Sequence, residues 1–189
     1  MRFALITLLS AFATCFAGEM FTIVQGNSSS HVSFTSEAPL EEIVGKTNMV
    51  TGFVMLPDGS SPGNAEIHVD LGSLDTGMSL RNKHMRENHL HTDRFPEAVF
   101  KLTSLEIPGG TLPEGQRIAV NVTGTLMMHG ESREIAPISW MTVNGDELTV
   151  ESKFSIKLQD YSIERPEFLI MKLADEQRID VKLIGTRSK

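Results

Sequence analysis

Apolar and polar residues trade places at every second position along most of this chain, and that period fits a strand with one face to a core and one to water. Ala65, Ile67, Val69 and Leu71 alternate with Glu66, His68 and Asp70. Ile118, Val120, Val122, Leu126 and Met128 share one parity. Leu148, Val150, Phe154, Ile156 and Leu158 form a third such set, and Ile179, Val181 and Leu183 a fourth. Turn-forming stretches separate the runs: GNSSS at 26–30, PDGSSPGN at 57–64, PGGTLPEG at 108–115, HGES at 129–132 and NGD at 144–146. The reading is an all-β chain of about eight strands with mostly short connections. No strand–helix series of the kind that builds a parallel sheet is present.

Several runs are long; residues 116–129 would extend ~45 Å as one strand. Long antiparallel strands leave exposed edges unless the sheet closes, so the expected architecture is an extended antiparallel β-barrel. An eight-stranded barrel is either filled by its own side chains or holds one ligand. Its inward set here would be Leu, Ile, Val, Met and Phe, so any cavity would be apolar.

Residues 74–100, LDTGMSLRNKHMRENHLHTDRFPEAVF, break the alternation. The part at about 77–90 has no proline and reads as a short helical insertion, with Asp75 or Thr76 available as its cap. Phe95–Pro96 then restarts a strand, because the residue before proline is pushed into an extended conformation. Three of the six histidines, His84, His89 and His91, crowd into this piece. Residues five apart on a helix stand roughly 140° apart around its axis, so His84 and His89 do not share a face as two metal ligands would. No metal site is assigned; His89 and His91 are expected in solvent and His84 held by hydrogen bonds at the barrel rim. A second interruption, 159–177 with Pro166, is expected to cross a barrel mouth.

At the N-terminus, Arg2 precedes an apolar run, Phe3 to Phe16, followed by Ala17 and Gly18. This reads as a cleaved signal peptide over 1–17, with one domain over 18–189 and a periplasmic or secreted destination. Lipidation at Cys15 is the lesser reading, since Phe12 and Thr14 suit a lipoprotein signal poorly. Cys15 is the single cysteine, so the mature domain is expected to lack disulfides, thiol nucleophiles and zinc–thiolate sites. A net charge of −7 over the whole chain argues against nucleic acid and against anionic membrane surfaces as partners. No further apolar run is long enough for a membrane span. No nucleophile-elbow serine and no phosphate-cradling glycine loop appears, so no catalytic residue is assigned and the chain is read as a non-enzyme.

Four stretches stand in a telling order: SLDTG at 73–77, RNKHMRENHL at 81–90, RFPEAVF at 94–100 and VTGTLMMHGESREI at 122–135, with Gly45 and Gly52 upstream. This order resembles the YceI-like family over roughly residues 20–185. Asn82 departs from the family's Arg-Asp-x-His element. The resemblance implies a lipocalin-like barrel, exported, that holds a polyisoprenoid or isoprenoid quinone non-covalently and needs no other cofactor. It singles out Asp75, Arg81, His84 and His129 as polar positions, either structural ties or contacts to a ligand head group. Candidates for the apolar lining are Phe34, Met85, Phe100, Leu126, Met128, Trp140, Phe154 and Ile156. The expected function is sequestration or transport of a long-chain apolar small molecule. A packed structural or interaction barrel is the second reading, and a lipid-modifying or metal-binding protein the third. A homodimer is left open.

Overall fold

Among the described residues, thirteen strands follow from the alternation once its breaks are taken into account. The computed structural model describes residues 18–37, 42–59, 61–168 and 171–188. The expected signal peptide, with Cys15, lies outside the described residues. The strands are β1 Met20–Ile23, β2 His31–Glu37, β3 Glu42–Thr47, β4 Val50–Met55, β5 Asn64–Asp70, β6 Glu97–Glu106 and β7 Ile118–Met128. They continue with β8 Glu131–Ile135, β9 Ile138–Asn144, β10 Glu147–Lys157, β11 Glu167–Phe168, β12 Met171–Lys172 and β13 Glu176–Arg187. Helix α1, Ser79–His84, runs directly into one π-helical turn, Met85–His89.

Among the described residues, all pairings between strands are antiparallel. The order β1-β4-β5-β6-β7-β9-β10-β13 closes on itself through β1–β13. Three of the eight staves are broken strands. β2 and β1 lie end to end along β13, at Gln177–Lys182 and Gly185–Arg187 respectively. β8 and β9 lie end to end along β7, and Pro137, which has no N–H to offer a ladder, marks their junction. β3 pairs with β2 where β4 pairs with β1, with a break at Asn48–Met49. Counted as staves, the result is a closed eight-stranded antiparallel barrel, as the sequence leads one to expect.

The GNSSS turn has a specific part in closure. It ends at Ser30, whose buried hydroxyl accepts a hydrogen bond from the Ile184 amide at 2.9 Å. Ile184 lies between the β2-paired and β1-paired parts of β13, so the side chain replaces a missing ladder partner. Two short turns follow hairpin chemistry: His129–Gly130 joins β7 to β8 with both residues at positive φ, and Gly145–Asp146 joins β9 to β10.

Two apolar clusters divide the interior. One, around Phe21, Val50, Val54, Val122, Met141, Leu148 and Leu183, packs one end of the barrel. The other, around Leu71, Leu74, Leu90, Leu126, Met128, Tyr161 and Ile163, lies beneath the helical insertion.

Candidate functional site

Between the clusters the barrel is hollow. A cavity of about 940 Å³ takes its walls from both: Val54, Val122, Met141 and Leu183 from one, Leu71, Leu74, Leu126 and Ile163 from the other. That volume lies at the upper end of the ~300–1,000 Å³ usual for small-molecule sites. Its wall is almost wholly apolar. The described lining contains no acidic side chain; its polar members are Ser33, Thr76, Arg81, His84, His89, Ser152 and Gln177. The interior therefore offers burial to hydrocarbon and little to an ion.

Glycine makes part of that room. Phe34 stands opposite Gly45 in the β2–β3 register, and its ring occupies the space that a Cβ on Gly45 would need. Phe100 does the same over Gly124 on β7. Both rings line the cavity. Laid on a bare backbone, each ring covers the wall instead of projecting across the lumen.

The lid over one mouth is the helical insertion. Met78 occupies the N-cap position without a side-chain cap, so neither Asp75 nor Thr76 caps α1 as the sequence suggests. The helix is tied back from within instead. Asn82 Oδ1 accepts from the Thr76 amide (2.9 Å) and hydroxyl (2.7 Å), and Asn82 Nδ2 donates to Asp75 Oδ1 at 2.7 Å. Asp75 also accepts from the Gly77 amide, and its backbone pairs with Lys46 on β3. The Asn82 bond, then the Gly77 bond, hold the Asp75 carboxyl below its ordinary range. An aspartate at 82 could accept from Thr76 but could not donate to Asp75, so asparagine suits this lid. Arg81 donates through Nε to the Thr76 hydroxyl (2.9 Å) and through Nη2 to the Thr76 carbonyl (2.7 Å).

Beyond α1 the Leu90 amide reaches back to the Met85 carbonyl, which widens the last turn to π geometry. His89 Nδ1 lies 3.0 Å from the Glu164 carbonyl, across the mouth. Burial lowers its pKa, with the Glu164 bond opposing. A second tie holds three segments together: His129 Nδ1 lies 2.9 Å from the Tyr161 carbonyl, and its Nε2 lies 2.9 Å from His91 Nδ1. A carbonyl only accepts, so His129 carries its proton on Nδ1; with the ring neutral, Nε2 accepts from His91. Phe95 packs on the His129 ring at 4.6 Å. The loop after the lid, the β7–β8 turn and the 158–163 segment are thus joined.

The sequence-derived residues divide accordingly. Phe34, Met85, Phe100, Leu126, Met128 and Phe154 line the cavity. Ile156 packs against the cluster beneath the lid, outside the lining. Trp140 is a correction: Ser139, Met141 and Val143 take the buried parity of β9, and Trp140 faces outward under the Arg117 guanidinium, 4.1 Å from its ring. Of the polar set, Arg81 and His84 line the cavity; Asp75 and His129 lie outside its lining, in the ties just described. The histidine expectations are also corrected: His89 and His91 are engaged, whereas His84 is exposed and forms no side-chain hydrogen bond among the described residues. Of the 159–177 stretch expected to cross a mouth, Ile163, Pro166, Leu173 and Gln177 line the cavity. The lid residues Met78 and Leu80 were not anticipated, because both are exposed as well as lining. Among the described residues, no three His, Cys, Asp or Glu side chains converge as a metal site requires.

This architecture is similar to that of several solved structures. Burkholderia cenocepacia BcnA superposes with a TM-score of 0.71 at 22% identity, covering 83% of this chain and 96% of that one. A polyisoprenoid binding domain from Saccharophagus degradans gives 0.71 at 18%, covering 91% and 99%. The Campylobacter jejuni YceI protein gives 0.62 at 14%, covering 79% and 87%. At such identities the likeness establishes the fold. No curated protein sequence matches the chain at a significant level. The YceI-like domain model matches residues 21–184, nearly all of the barrel just described, and the chain accordingly belongs to the YceI-like domain family.

Proposed function

We propose that this protein is an exported, non-enzymatic carrier that sequesters or transports an elongated apolar molecule of the polyisoprenoid or isoprenoid-quinone type. The observation that carries the reading is the hollow, apolar lumen of about 940 Å³ under a hydrogen-bonded lid. A packed structural barrel is the weaker reading for the same reason. The polyisoprenoid-binding domain of S. degradans, with the same fold, supports the ligand class. Periplasmic or secreted placement rests on the N-terminal apolar run alone.

Burying each methylene is worth ~0.8 kcal/mol, and ordering a flexible chain returns part of that. Affinity should therefore climb with every prenyl unit until the lumen is full, then level off. Delipidated protein titrated with polyprenols of increasing length and with an isoprenoid quinone tests this. Val150, on the lining and only partly buried, offers the control: Val150→Trp should fold and lose about tenfold or more in affinity. Binding that is absent, or indifferent to chain length, would overturn the carrier reading. His84→Ala separates it from a head-group enzyme, since a carrier keeps its hold on the tail.

A further inference from the structure

We propose that the outer lip of the lid, Met78 and Leu80 with the cations Lys83 and Arg86, docks the barrel reversibly on an anionic lipid bilayer, so that the cavity exchanges its ligand with the membrane. Met78 is 56% and Leu80 65% exposed, yet both also line the cavity. They therefore border its opening. A mouth that only ever met water would be better rimmed with polar residues; here two large apolar side chains stand within three positions of each other at the entrance.

Charge points to the same surface. The whole chain has 24 acidic against 17 basic residues. Over residues 78–94 the balance reverses: Arg81, Lys83, Arg86 and Arg94 stand against Glu87 and Asp93. Several cations elsewhere on the barrel are neutralised by neighbours, as in Lys101–Glu66, Arg117–Glu151, Lys153–Asp180 and the Arg178 pairs with Glu37 and Glu42. Lys83 and Arg86 have no ion-pair partner among the described residues. An apolar lip beside unneutralised cations is the composition of an interfacial helix, which seats its apolar side chains at the acyl boundary while its cations meet anionic head groups. No helix among the described residues is long and apolar enough to cross a membrane, so the contact is peripheral. The overall acidity of the chain would hold the rest of the barrel off the same surface, which orients the mouth toward the lipid. The proposal rests on where the cavity opens and is indifferent to what fills it.

The test is flotation of the full chain with vesicles of phosphatidylcholine containing phosphatidylglycerol, against pure phosphatidylcholine, at low salt. Wild type should partition to the anionic vesicles roughly tenfold more strongly. Met78→Ser with Leu80→Ser should lower that partition about as much, and Lys83→Glu with Arg86→Glu should remove the preference for anionic lipid. A thermal midpoint within a few degrees of wild type shows that each variant folds. Wild type remaining unbound in both preparations, or both variants floating like wild type, overturns the proposal. So does sedimentation showing a dimer that the Met78/Leu80 variant loses, since the lip would then be a protein interface. Ligand titration in detergent-free buffer, with no vesicles, reports separately on the carrier reading.

Discussion

At Gly45 and Gly124 a missing methyl group decides how much of the lumen two aromatic rings leave open. An alanine at 124 would collide with the Phe100 ring and with the Lys101 carbonyl. We expect Gly124→Ala to cost about 1–3 kcal/mol and to weaken ligand binding by pushing Phe100 inward. Denaturant midpoints and the polyprenol titration read the two effects separately. A second residue-scale expectation concerns His68, bonded through Nδ1 to Glu97 and through Nε2 to Glu66, both at 2.9 Å. The Glu97 bond is the largest cause that raises its pKa above 6.5, with Glu66 adding to it. A raised histidine pKa means the folded state holds the proton more tightly. Its contribution is complete below the unfolded pKa and disappears as pH rises through the folded one. His68→Gln should therefore destabilise the protein at about pH 5.5 and have much less effect at about pH 8.5. At this scale the sequence was least readable. An apolar residue type does not show which face it takes: Trp140 is a candidate for the wall, and the parity of β9 turns it outward. Hydrogen-bond partners such as His129 and His91, 38 positions apart, leave no periodic trace.

At the scale of elements, the lid was legible in outline and the strands nearly throughout. The expected helix at about 77–90 matches the helical run from Ser79 to His89, because a proline-free polar stretch between alternating segments has few other forms. Its cap differs from the expected Asp75 or Thr76, since the tie comes from Asn82 inside the helix. That tie makes a prediction. Asn82→Asp places a carboxylate against the Asp75 carboxylate and deletes the donor, so the thermal midpoint should fall and amide exchange in 76–90 should accelerate. Asp75→Asn in the same chain should recover much of the loss, because it restores a donor to the pair. If the double variant is no better than the single one, the Asp75–Asn82 bond does not govern the lid. The broken staves also went unread. GNSSS announced a turn, but one strand interrupted along β13 and two separate hairpin strands look alike in sequence.

For the whole molecule, alternation and strand length specify a closed antiparallel barrel, since closure is the economical way to satisfy long edges. Alternation also specifies an apolar inside. It is silent on whether the inside is full, because a void is a property of fitted shapes: rings lying on glycines and a lid propped by Thr76 and Asn82. The open lumen is thus the central claim about this protein, and native mass spectrometry of protein purified from its own host, followed by solvent extraction, tests it most directly. The account predicts a mass increment equal to one bound lipid, lost on extraction and identified in the extract as a long-chain isoprenoid. Protein that flies at its bare mass and takes up no prenyl lipid or quinone when these are supplied would contradict it.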